Sequence, residues 1–222
     1  MKEIHMPSSV SFQRHSLILR SIPVLALIVI PLLVYAQSSA SMSKADLRDS
    51  MDKLWEDHVT WTRLYIVSAA ANLPDKDATA QRLLQNQTDI GNAIKPVYGD
   101  AAGEKLTTLL KDHIMISTEI IDAAKAGDTA KQEEASNRWN ANADEIATFL
   151  SSANPKNWPA PEMKTMMRDH LKLTTDEVVA RLHGDWAADI AAYEKVHTQI
   201  LKMADMLSAG IIKQFPNKFK QG

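Results

Sequence analysis

Cysteine is missing from all 222 residues. That excludes a disulfide framework, a cysteine-ligated zinc or iron–sulfur site, and a thiol nucleophile. Glycine and proline number only seven and nine, too few for a fibrous or low-complexity chain. Runs of β-branched residues bounded by turns are also missing, so no strand is predicted. Without strands there is no crevice at a sheet switch point to hold a nucleotide. There is no glycine-rich phosphate loop, no G-x-S-x-G elbow and no H-E-x-x-H pair. The net charge of −2 lacks the basic excess of a general nucleic-acid binder, so no nucleic-acid partner is expected.

What is present begins with an export pattern. Lys2, Arg14 and Arg20 precede an uncharged run from Ser21 to Ser43, whose apolar heart is Ile22 to Ala36. Those 15 residues fall short of a bilayer span, which takes roughly 20. Val34 and Ala36 fit the small-x-small cleavage rule. Residues 1–36 therefore read as a signal peptide or an N-terminal membrane anchor, with 21–36 as a candidate membrane tether. Either way the remainder is expected outside the cytoplasm. Removing 1–36 leaves a chain of charge −4.

From Ser43 to about Gln214 the chain is rich in Ala, Leu, Lys, Glu, Gln and Met, all good helix formers. Breaks at Asn72–Asp75, Lys95–Asp100, Ala126–Asp128, Ser151–Pro161 and His183–Asp185 divide it into six helices. Their expected spans are 44–72, 77–95, 101–126, 129–151, 160–182 and 186–214. Gly127-Asp128 and Gly184-Asp185 each pair a residue suited to closing one helix with one suited to capping the next. Short loops force antiparallel neighbours, so the fold predicted is an all-α, up-and-down helical bundle over 37–214. A short basic tail follows at 215–222.

A weak repeat runs through it. LWEDH at 54–58, LLKDH at 109–113 and MMRDH at 166–170 share two positions of apolar character, a charge, then Asp-His. In the first of them the apolar pair is Leu54-Trp55. The pairs lie 55 and 57 residues apart, and each is followed four residues on by a hydroxyl: Thr62, Ser117 or Thr174. This predicts three related helical hairpins.

The histidines sit on apolar stripes at helical spacing. Leu47, Met51, Leu54, His58, Trp61, Tyr65 and Ala69 form one. Leu106, Leu109, His113, Ile116 and Ile120 form the second, and Met163, Met166, His170, Leu173 and Glu177 the third. Ile190, Tyr193, His197, Ile200, Ala204, Leu207 and Ile211 form the fourth. Four imidazoles from four helices are thus predicted to face inward, and a buried imidazole needs a hydrogen bond or a ligand. Three readings compete. The histidines are structural, bonded to Thr62, Ser117, Thr174 or Glu177; they hold a transition metal such as copper or zinc; or they form a core that loosens on protonation. The candidate metal ligands are His58, His113, His170 and His197. The di-iron pattern of paired Glu-x-x-His is incomplete, because only Glu194 precedes a histidine at that spacing. Met166, Met203 and Met206 beside the histidines point to copper over other metals. Asp57, Asp112 and Asp169 are expected to pair with Arg63, Lys111, Arg168 or Arg181, and Trp158, between prolines, is the expected exposed aromatic.

The segments LWEDHVTWTR at 54–63, RDHLKLT at 168–174 and MADMLSAGIIKQFP at 203–216 resemble a family of small exported or membrane-tethered helical proteins of bacteria and archaea. Members often carry the label acetylglutamate kinase or glycosyltransferase. An amino-acid kinase needs a glycine-rich α/β nucleotide fold, which seven glycines and no strand do not supply. The functional expectation is a non-enzymatic exported bundle that binds a transition metal through its histidine core or serves as an envelope component. The alternative is a metal-dependent redox or hydrolytic enzyme using the same four histidines.

Overall fold

The computed structural model describes residues 42–220. The expected signal or anchor at 1–36 and the last two residues of the tail lie outside the described residues. Among these, the protein is all α. The helices are α1 (Lys44–Ala71), α2 (Lys76–Tyr98), α3 (Asp100–Ala126), α4 (Thr129–Ala153), α5 (Ala160–Leu182) and α6 (Trp186–Gln214), followed by a 3-10 turn at Pro216–Lys218. The described residues contain no strand, and one isolated bridge joins Ser43 to Lys220. No described helix is long and apolar enough to cross a membrane.

The helix ends follow from local chemistry. Ser43 caps α1 through a box in which its hydroxyl takes the Asp46 N–H and the Asp46 carboxylate takes the Ser43 N–H. Asp128 and Asp185 accept the backbone N–H of Lys131 and Ala188, capping α4 and α6. Gly127 and Gly184 take φ of 68° and 74°, the left-handed turn that closes α3 and α5. Helix α2 runs further than its sequence predicts, through Pro96 to Tyr98. Proline removes one N–H but its fixed φ is helical, so the helix continues until Gly99 at φ 86° ends it.

Each helix packs on its neighbours in the chain, and α6 returns to pack on α1. Ion pairs such as Lys76–Asp122 and Arg138–Glu119 join the beginning of one helix to the end of the next, or positions near a shared turn. Helix α1 also meets α3 and α5 across the middle. The main core gathers side chains from all six helices, including Leu47, Ile90, Leu106, Ile146, Met163 and Ile200. A second cluster, with Tyr65, Ile66, Leu83, Ile121 and Val178, lies nearer the α1–α2 turn.

Two close approaches depend on missing side chains. A Cβ on Gly91 would stand 2.6 Å from the Gly103 carbonyl, and one on Gly103 would stand 2.6 Å from the Gly91 carbonyl, so α2 and α3 touch backbone to backbone. Trp158, expected at the surface, is instead only 2% exposed. Its indole fills the notch left by Gly210, donates to the Met206 carbonyl at 3.3 Å and lies 6.0 Å from the Tyr98 ring. The loop is turned inward by the bond from the Trp158 N–H to the Asn154 carbonyl at 2.8 Å and by Asn154, whose amide donates to the Gly210 carbonyl at 3.0 Å.

Candidate functional site

Three of the four predicted histidines meet in the interior. His58 on α1, His113 on α3 and His170 on α5 are 3%, 3% and 4% exposed. The His58 and His170 ring centroids are 5.8 Å apart, and those of His113 and His170 are 6.3 Å apart. Alternate helices of one ring carry them at one depth.

Two of the three rings are oriented by an amide from the following helix. His113 Nδ1 lies 2.9 Å from Asn142 Oδ1, and His170 Nδ1 lies 3.1 Å from Gln199 Oε1; both partners come 29 residues later. The amide nitrogens face elsewhere. Asn142 donates to the Leu109 carbonyl at 3.0 Å, and Gln199 to the Met166 carbonyl at 3.1 Å. Each of those carbonyls lies one helical turn before its histidine. A carbonyl oxygen only accepts, so the amide NH2 must face it and the amide oxygen must face the ring. Nδ1 therefore carries the proton, and Nε2 carries the lone pair.

Around His58 only half of this arrangement is made. Asn86 donates to the Leu54 carbonyl at 2.9 Å, one turn before His58. Gln87, again 29 residues after its histidine, stands opposite the His58 ring and donates to Leu83 and Asn86. His58 Nδ1 and Gln87 Oε1 are both buried without a hydrogen-bond partner.

Burial keeps all three rings neutral. Desolvation and then the neighbouring His170 push His113 down to about 3. Desolvation pushes His170 down to about 4, against the opposing pull of Gln199. His58 is driven well below its ordinary value by burial, then by His170 and His113.

The three imidazoles share the lining of one small interior void of about 10 Å³ with Trp55, Leu106, Leu110, Met167, Met203 and other apolar groups. That is about the space of one water or one ion. As the side chains stand, no three His, Cys, Asp or Glu among the described residues are placed to hold a metal ion.

His197 does not join them. Its side chain is 32% exposed and its Nε2 lies 3.2 Å from Glu56 Oε1. The buried stripe of α6 reaches Ile200 through Ala192 and Val196. His197 is one residue off that line, about 100° round the helix. The other expected partners also differ. Thr62, Ser117 and Thr174 donate to carbonyls of their own helices. Asp57 pairs with Lys53 at 2.8 Å, Arg168 turns to Asp144 at 3.1 Å, and Asp112 and Asp169 make no ion pair among the described residues.

Glu177 belongs to a buried ion network. Arg63 of α1 donates to Glu177 of α5 at 2.9 Å and also binds Asp189 of α6; Arg181 reaches Asp189 at 3.3 Å. Burial pushes Glu177 up to about 7 despite Arg63. For Asp189 burial also pushes upward, but bonds from Arg63 and Arg181 outweigh it and hold the carboxyl below its usual range.

The sequence reading missed Gln87, Asn142 and Gln199. Their common offset of 29 residues from the histidines was the available signal. No known protein family, curated protein or solved structure matches the chain.

Proposed function

We propose that this chain is an extracytoplasmic, up-and-down helical bundle of three related hairpins that binds one transition-metal ion through His58, His113 and His170. The observation carrying the metal reading is the threefold arrangement of neutral imidazoles around one void, two of them held at Nδ1 so that Nε2 is the free nitrogen. Neutral imidazole is a ligand for zinc, copper, iron and nickel, and an amide or carbonyl on the second nitrogen is the usual way such a ligand is oriented. Three rings sharing one ion through bonds of about 2 Å would have centres roughly 5–5.5 Å apart. The 5.8 and 6.3 Å from His170 to the other two rings are a little wider, so the rings would have to draw together to share one ion. A void of about 10 Å³ accepts an ion but no substrate, which favours binding over turnover at this place.

The repeated 29-residue spacing from ring to amide supports the three-hairpin reading. The export reading rests on the pattern of residues 1–36 alone. Metal content of protein recovered from its native compartment, followed by titration of the stripped protein with copper and zinc, tests the centre. One ion per chain is expected, lost in His113→Leu and His170→Leu and kept in His197→Gln. Failure to bind any of these ions overturns the reading. Fractionation with N-terminal sequencing tests export, and recovery of the whole chain in the cytoplasm would end that part.

A further inference from the structure

Which ion the centre takes can be argued from what borders the void, and this argument rests on the metal centre just proposed. We infer that the ion is monovalent copper, entering from the groove between α5 and α6.

Charge comes first. The void is lined by imidazoles, Trp55, aliphatic side chains, Met167 and Met203, and its lining holds no carboxylate. Its three histidines are almost wholly removed from solvent. An ion there brings its charge into a dry interior without a balancing anion. The solvation cost of a bare charge rises with its square, so a divalent ion is penalised about four times as heavily as a monovalent one. Zinc and cupric sites in proteins usually offset this with thiolate, carboxylate or water. Here the chain has no cysteine, and the void has no room for an ion and an additional ligand water.

Softness comes second. Thioether sulfur and imidazole together suit Cu(I), whereas hard divalent ions gain little from sulfur. Met167 and Met203 are 4% and 1% exposed and border the same space as the rings. Helices α5 and α6 therefore place two thioethers, as well as His170, at the void.

The route follows from the neighbours of those methionines. Met166 and Met206 line the surface groove between α5 and α6, together with Glu162, Asp169 and Glu194. Each helix thus has one methionine at the groove and one at the void. Gln199 lines the same groove and holds His170 Nδ1 at 3.1 Å, so its side chain forms part of the wall between them. The three carboxylates outnumber Lys195 and Lys202 in the same groove by one charge, so its field favours a cation only slightly, and it is the thioethers on both sides of the wall that give a soft ion somewhere to rest.

The test offers stripped full-length protein Cu+ under anaerobic, reducing conditions against a coloured cuprous chelator, Ag+ as a redox-inert substitute, and Zn2+ and Cu2+ separately. One Cu+ or Ag+ per chain is expected, with Zn2+ and Cu2+ at least about 100-fold weaker. Zn2+ or Cu2+ binding as tightly as Cu+ would overturn the monovalent assignment while leaving the histidine centre standing. Binding of none of the four would overturn both. The double variant Met167→Leu with Met203→Leu conserves volume and should lower Cu+ affinity about 10-fold or more, leaving the fold intact by circular dichroism. Unchanged affinity would remove the sulfur argument. Met166→Leu with Met206→Leu should slow loading without changing affinity, and an unchanged loading rate would overturn the route.

Discussion

A neutral imidazole in a dry interior makes stability depend on pH, and the direction follows from where the proton prefers to be. The unfolded chain takes up protons as pH falls through about 6.5, whereas folded His170 resists until about 4 and His113 until about 3. Below pH 6.5 the unfolded state therefore binds more protons, and the fold loses stability as acid is added. His170 alone accounts for about 3 kcal/mol by pH 4. Denaturant midpoints measured from pH 7 to pH 4 should fall throughout the lower part of this range, and a flat profile would contradict the burial argument. Glu177 acts the other way. Its folded value of about 7 exceeds its ordinary 4.5, so between these values the folded state holds the extra proton and stability falls as pH rises. The profile is thus expected to steepen on the acid side in Glu177→Gln. Hydrogen bonding adds a second test. Asn142→Leu strands the His113 ring N–H and removes the second bond to the Leu109 carbonyl, and should cost about 1–3 kcal/mol in urea unfolding at pH 7. Gln87→Leu should cost less, because Gln87 Oε1 already lacks a partner.

Among the helices, what the sequence revealed was whatever has a short period. The stripes through His58, His113 and His170 could be read because apolar neighbours recur every three or four residues on both sides of each histidine. Helix α6 misled for the same reason. Before Ile200 the periodic choice lay between Val196 and His197, and Ile190 with Tyr193 drew the line toward the histidine. Ile190 proves 55% exposed, and the buried line begins at Asp189. A charged residue cannot announce its own burial when its partners, Arg63 and Arg181, lie on other helices or across a turn. The amides were hidden because a spacing of 29 residues has no meaning within one helix; it acquires one only when two helices fold back together. The ion network also separates two carboxylates by role. Asp189→Asn should destabilise by about 3 kcal/mol, since it leaves two guanidiniums without their shared anion. Glu177→Gln at pH 8 should be neutral or stabilising, and calorimetry on the two variants distinguishes them. Gly210→Ala should also destabilise, by about 1–3 kcal/mol, because the new methyl would meet the Trp158 ring.

For the molecule as a whole, both ends of the described chain lie together. Lys220 donates to the Met42 carbonyl at 3.2 Å, and α6 packs along α1. A permuted chain that joins residue 220 to residue 42 through a short linker and opens at Gly127-Asp128 should therefore fold to the same helical content. Gly127 is exposed and Asp128 half-buried, and a cut between them breaks the bond from the Asp128 N–H to the Ala123 carbonyl but spares the Asp128 cap on α4. The six-helix plan and its turn chemistry were legible in the sequence because glycine, proline and capping aspartate act locally. The closing contact between the first helix and the last was not, since it joins residues more than a hundred positions apart, as in the Arg63–Asp189 pair.

That closing contact sets an order of events during synthesis. Gln199 and Met203 both come from the final helix, and so does the flank that seals the interior beside α1. A nascent chain still lacking α6 leaves its imidazoles wet and incompletely oriented. The pocket among the three histidines therefore closes only after the last helix has been made and has docked against α1 and α5.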